Sequence, residues 1–227
     1  FTSTSAVCVT GLIRFDTAEH WNFFGELVIA VLIQAGGLGV TIYASALLLL
    51  MGNKLGLRGR EFLGFELMDS GNRDARILIK RVMLFVIILE STTLIFLLPW
   101  FLLQELSLVS IWKSLFYTIS AANNAGFDLQ GGKESMQGFI NNPYPLAIMS
   151  ISTFIGSMSF ITIFNLNRSP KKWTLDTKFV CIGMGVLFVT GVCVFFIGES
   201  ASGQALNQVN IGTRLVNALF LSANRTA

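Results

Sequence analysis

Residues 27–51 contain no charged side chain. As a helix such a run rises roughly 37 Å, more than the hydrocarbon thickness of a bilayer at about 30 Å. The rest of the chain has the same character: of 227 residues, 53% are apolar and only 13% charged, where a soluble domain carries about 25% charged residues. The charges fall in clusters between long uncharged stretches, as expected when the surroundings alternate between lipid and water. This excludes a water-soluble globule, a disordered chain and a collagen-like rod, and leaves an integral membrane protein.

Three further spans follow from the same reading. Residues 82–103 are interrupted only by Glu90, with a bend or an end expected near Pro99, and residues 146–164 and 179–198 are uncharged. Between the spans, Lys54, Arg58, Arg60, Arg73, Arg76, Lys80, Arg81, Arg168, Lys171, Lys172 and Lys178 fall on one side. Arg14, Lys113, Lys133 and Arg214 fall on the other, and Arg225 lies near the end. This bias places the first set in the cytoplasm under the positive-inside rule and accounts for the net charge of +3. The basic loops also suit contact with anionic membrane lipid. Nucleic acid is excluded as a partner, because no basic stripe with interleaved aromatics occurs.

On the outer side, residues 111–120 and 211–222 are amphipathic but too short to cross, and each runs into small and polar residues. They are expected to be re-entrant half-helices. Non-helical backbone at membrane depth is tolerated where protein buries it or where it lines a watery cavity, so these segments imply a polar route.

An internal repeat accompanies them. Ser5-Ala6-Val7-Cys8-Val9-Thr10-Gly11 lies over Ser120-Ala121-Ala122-Asn123-Asn124-Ala125-Gly126, and Ser222-Ala223-Asn224-Arg225-Thr226-Ala227 begins a third copy. Two spans separate successive copies, so the unit is helix, re-entrant loop, helix. A half-helix entering from outside points its negative C-terminal end at the membrane centre, where it stabilises a cation. The strip after it can present backbone carbonyls in place of an ion's water, and glycine is required where the chain turns through positive φ. The bland alternative is a set of small-residue loops packed between helices.

These residues resemble the pore loops of the Trk/Ktr/HKT superfamily of potassium transporters: residues 1–12 the first loop, residues 123–128 the second, and Arg225-Thr226-Ala227 the start of the third. The likeness extends to the glycine-rich Gly36-Gly37-Leu38-Gly39 and to Phe154-Ile155-Gly156-Ser157. It implies an all-α integral membrane fold of helix, re-entrant pore loop, helix units with pseudo-fourfold symmetry around an ion pore. The expected partition is 1–51, repeat one; 52–81, a basic cytoplasmic loop; 82–164, repeat two; 165–178, a second cytoplasmic loop; and 179–227, the first part of repeat three. The chain would be an internal piece of four repeats, with glycine expected after Ala227.

The resemblance further implies potassium uptake across a bacterial plasma membrane, with pore loops facing outside. Its filter would comprise Val9, Thr10, Gly11, Leu12, Asn124, Ala125, Gly126, Phe127, Thr226 and Ala227. A glycine at each loop is the potassium pattern, whereas sodium-preferring plant members carry serine in the first. The stretch 58–82 is most similar to Ktr-type subunits, which implies a homodimer, a cytosolic nucleotide-binding regulatory ring as partner and sodium stimulation. Potassium is the transported ion, sodium a second candidate, and no organic cofactor is expected.

Asp16 and Asp128 follow the two glycines and could form a cation-attracting outer vestibule, or cap a helix and bind local backbone. Glu90, inside a span, is either functional or a paired interior hydrogen-bonding group. The glycines at 36–39 and 183–191 suit close helix packing more than gating. Cys8, Cys181 and Cys193 are expected to be free thiols, and His20 a polar loop residue rather than a ligand. No convergent acid, base or nucleotide loop supports an enzyme. The rivals are a sodium-permeable or non-selective transporter of the same superfamily, and a non-conducting membrane enzyme or assembly subunit.

Overall fold

The computed structural model describes residues 1–39, 72–131, 138–139, 141–166, 173–202 and 210–226. Regular structure among them is helical: α1 (Thr2–Val7), α2 (Thr17–His20), α3 (Phe23–Gly37), α4 (Asn72–Gln104), α5 (Leu108–Ala122), α6 (Pro143–Gly156), α7 (Phe160–Leu166), α8 (Leu175–Ser202) and α9 (Ile211–Thr226). Short helices, α5 and α9, cover the two amphipathic runs. Asn22 starts α3 by accepting from Gly25 N–H at 3.0 Å, and Ser107 starts α5 by accepting from Ser110 N–H at 3.3 Å.

Burial is arranged for lipid rather than water. Within the long apolar stretch Leu175–Gly198 of α8 only Thr177 is buried, and most of Ile79–Gln104 of α4 is likewise not buried. Phe179, Val186, Val189 and Val194 lie open on α8. The amphipathic α5 is the buried helix instead, with Ser110, Ser114, Thr118 and Ser120 inside beside Phe116 and Tyr117. A soluble protein would do the reverse; a bilayer is as apolar as the leucines it meets, so polar-edged helices go inside. The chain is an all-helical membrane protein.

The core is built around α5. It packs on α3, α4 and α6, while α9 packs on α6 and α8. Phe101 stacks on Tyr117 at 5.5 Å and Phe139 meets Tyr117 edge-on at 5.4 Å. The Tyr117 hydroxyl accepts from Leu129 N–H at 3.0 Å, tying the segment after α5 back to it.

Two expectations need correction. The uncharged run 27–51 is not one helix: α3 ends at Gly37, and Gly39 turns the chain at φ +77°. Residues 40–51, like most of the first basic loop and Arg168, Lys171 and Lys172 of the second, lie outside the described residues. The run 146–164 is likewise two helices, α6 and α7, broken at Ser157 to Ser159. There the Ser157 hydroxyl donates to Phe154 O at 2.8 Å, competing for helix carbonyls. Of the bend or end expected near Pro99, the end is not seen, since the helix continues to Gln104. The Tyr144 hydroxyl donates to Phe96 O at 3.0 Å in the turn that the proline loosens.

The glycines at the two helix breaks share a cause. A Cβ on Gly36 would strike the carbonyl of Val7, one on Gly156 that of Ala122, and one on Gly37 the side chain of Asn123. The close-packing reading thus holds at these positions and at Gly191, where a Cβ would meet Ser222 Oγ, whereas Gly183 and Gly185 face nothing within 4 Å. Gly36→Leu and Gly156→Leu should each cost about 1–3 kcal/mol through overpacking. That cost should appear as a clear fall in the unfolding midpoint in detergent, while Gly183→Leu and Gly185→Leu should leave the midpoint in place.

Candidate functional site

Two strips of backbone leave helix ends, the first largely exposed after α1 and the second largely buried after α5. After α1, Val9 N–H donates to Ala6 O at 3.2 Å and Thr10 N–H to Ser5 O at 3.0 Å. After α5, Asn124 N–H donates to Ala121 O at 3.3 Å and Ala125 N–H to Ser120 O at 2.8 Å. This is the Schellman pairing, which satisfies carbonyls left over at a helix end and requires a left-handed residue just beyond it. Val9 at φ +53° and Asn124 at φ +57° are those residues. Two positions on, Gly11 and Gly126 are left-handed again, at φ +67° and +70°.

The strips are pinned by the serines that head them. Ser120 Oγ donates to Phe127 O at 2.7 Å, and Ser5 Oγ pairs with Thr10 Oγ1 at 2.9 Å. Ser222, third in the series, donates instead to Phe188 O on α8 at 2.7 Å. The Asn124 amide, turned so that both its ends are satisfied, donates to Thr153 O at 2.9 Å and accepts from Ser157 N–H at 3.1 Å. It therefore seals the break between α6 and α7.

The sequence-derived site residues come together in part. Thr10, Gly11, Asn124, Ala125 and Gly126 border one cavity of about 460 Å³, which Asn224 of α9 also reaches. A Cβ on Gly11 would lie 2.5 Å from Ala125 O and 3.3 Å from Gly126 Cα, so the two strips meet at their glycines. On the other side of the strips Val9, Asn123, Gly37 and Gly156 border a second cavity of about 340 Å³. Asn124 borders both. Leu12 is exposed, whereas the Phe127 ring is buried in the aromatic core. Thr226 is still within α9, and Ala227 lies outside the described residues.

Asp16 and Asp128 take the local roles weighed for them. Asp16 caps α2 by accepting from Ala18 N–H at 3.0 Å, and Asp128 accepts from Gln130 N–H at 3.0 Å. Glu90 is paired, accepting from the Asn123 amide at 3.2 Å. Gln34, which accepts from the same amide at 3.1 Å, was not singled out from sequence. Its signal was available: a lone amide inside an uncharged run. The cysteines are free, and His20 stacks on Phe15 at 4.4 Å.

Short polar-edged helices followed by glycine-turned strips and set among long apolar helices define a class, that of all-helical membrane proteins. The comparisons narrow the class. The sequence model of the TrkH family, described as cation transport protein, matches residues 1–227. Ktr system potassium uptake protein B of Vibrio alginolyticus is 30% identical over all of this chain and 50% of its own length. The potassium/sodium uptake protein NtpJ of Enterococcus hirae is 32% identical over all of this chain and 50% of its own. Ktr system potassium uptake protein B of Bacillus subtilis is 30% identical, again over all of this chain, and 51% of its own. The chain belongs to the TrkH family, within the Trk/Ktr superfamily, and spans about half the length of these curated relatives.

Val9 is β-branched and left-handed, a combination that costs roughly 1–2 kcal/mol. Val9→Asn, which places in the first strip the residue that the second carries, should raise stability in detergent by about 1 kcal/mol. The reverse change, Asn124→Val, should lower it by more, because the bonds to Thr153 and Ser157 go as well. Denaturant unfolding of the two variants beside the parent checks both directions.

Proposed function

We propose that this chain is part of a potassium uptake protein in which cations lose water and pass through a filter of backbone carbonyls. The observation that carries the reading is the pair of strips: the same Schellman exit, the same left-handed glycine, and contact between the glycines beside a shared cavity. Each half-helix directs its negative end toward that place, which favours a cation where water is scarce. In this reading the helix, strip, helix units are repeats about a pore. Val9 to Leu12, Asn124 to Phe127, and Thr226 with Ala227 supply filter backbone. Asp16 and Asp128 add negative potential at the outer mouth while keeping their local hydrogen bonds.

The remaining assignments follow from the resemblance and from charge. The basic loops face the cytoplasm of a bacterial cell, the strips open outward, and the protein works as a homodimer on a cytosolic nucleotide-binding ring. The protein moves ions and performs no catalysis. A second reading, in which sodium is also carried, draws support from the E. hirae relative, whose name includes both ions. Gly11 favours potassium over that reading by its likeness to the potassium-type loop.

The test is rubidium uptake in cells lacking their own potassium uptake, with the protein expressed from its complete reading frame. Potassium should compete with rubidium at least tenfold better than sodium, on the order of 1.4 kcal/mol. Gly11→Ser should erase most of that preference, because the new side chain meets Ala125 O in a backbone conformation it opposes. Equal competition by sodium in the parent would favour the second reading. Absence of uptake with confirmed membrane insertion would reduce the strips to packing loops.

A further inference from the structure

The second strip has a support that the first lacks. Asn123 caps the end of α5, and its amide nitrogen donates to Ile119 O at 3.0 Å, Gln34 Oε1 at 3.1 Å and Glu90 Oε1 at 3.2 Å. Through these bonds the amide ties together a triangle of residues from α3, α4 and α5. Gly37 makes the room, since a Cβ there would overlap the Asn123 amide. At the matching place in the first strip stands Cys8, whose side chain is exposed.

The chemistry of the triangle is directional. A carboxylate beside the C-terminal end of a half-helix meets like charge, and inside a bilayer it needs partners. The Asn123 amide lies between the two, giving hydrogen to Ile119 O in the last turn of α5 and to the carboxylate together. Because Asn123 immediately precedes the left-handed Asn124, the amide that Glu90 holds fixes the direction in which the strip leaves the helix. Gly126, where the two strips touch, lies three residues on.

We propose that Glu90 is a positioning residue for the second strip, acting through Asn123, and that this clamp sets cation preference. The inference rests on the transport reading above. It separates three changes. Glu90→Gln keeps an acceptor for Asn123 and discards the charge; Glu90→Leu discards both; Asn123→Ala removes the intermediary.

The experiment measures competition of sodium and potassium against rubidium uptake, a ratio independent of how much protein reaches the membrane. Glu90→Gln should stay within about threefold of the parent ratio, while Glu90→Leu and Asn123→Ala should each shift it toward sodium by about tenfold. The double change should do no more than the larger single one, since both break the same link. An unshifted ratio in Glu90→Leu, with uptake merely reduced, would overturn the proposal by leaving a structural role alone. If that variant fails to insert, an unshifted ratio in Asn123→Ala would do the same. A shift in Glu90→Gln as large as in Glu90→Leu would also overturn it, in favour of charge. Absence of uptake by the parent would overturn the transport reading and this one with it, an outcome distinct from normal uptake with unmoved ratios.

Discussion

A helix that stops inside a membrane protein leaves carbonyls and N–H groups with no water to satisfy them, and the rest of this structure follows from that constraint. The Schellman exit answers it for α1 and α5, at the cost of a left-handed residue in each strip. The neighbouring helix must then come close enough to cover the exit, which is why Gly36 and Gly156 lie against Val7 and Ala122. Hydroxyl groups complete the account: Thr153 Oγ1 donates to Ala121 O at 3.2 Å and Ser120 Oγ to Phe127 O at 2.7 Å. Glycine, serine and threonine are thus required by the same backbone demand.

The demand also explains which helices are buried. A half-helix with satisfied ends still carries polar side chains along its length, and lipid excludes them more strongly than it excludes a valine. α5 is therefore enclosed, while the apolar faces of α4 and α8 are left for lipid. Internal polar contacts serve the same enclosure. Thr93 Oγ1 donates to Leu89 O at 2.8 Å and to Ser152 Oγ at 3.0 Å, joining α4 to α6 without exposing a hydroxyl.

What could be read from the sequence was what depends on local composition. Uncharged runs disclosed the membrane, and the recurring Ser-Ala ahead of glycine disclosed where the backbone leaves its helices. The helix breaks after Gly37 and Gly156 were hidden, because hydropathy is the same on both sides of them and the cause is a carbonyl on another element. Which of the two outcomes Pro99 takes depends on neighbours too, here a tyrosine 48 positions from Phe96. The pairing of Glu90 joins residues 33 positions apart and, through Gln34, 89 apart. A single sequence can mark such polar residues in apolar runs but holds no rule for matching them.

The two strips share a backbone and differ in what holds it. The first carries a strained Val9 next to an exposed Cys8; the second carries Asn124, which tolerates the left-handed turn and seals the break after α6, next to an Asn123 tied to α3 and α4. In a pore assembled from repeats of one polypeptide, unlike one assembled from identical subunits, each strip can be supported separately. The first is pinned within itself by the Ser5–Thr10 hydroxyl pair, whereas side-chain bonds to neighbouring helices tie the second to the surrounding packing and keep its carbonyls near one radius. In the proposed pore the second strip, clamped through Asn123, would then act as the rigid side of the filter against which ions of different size are told apart.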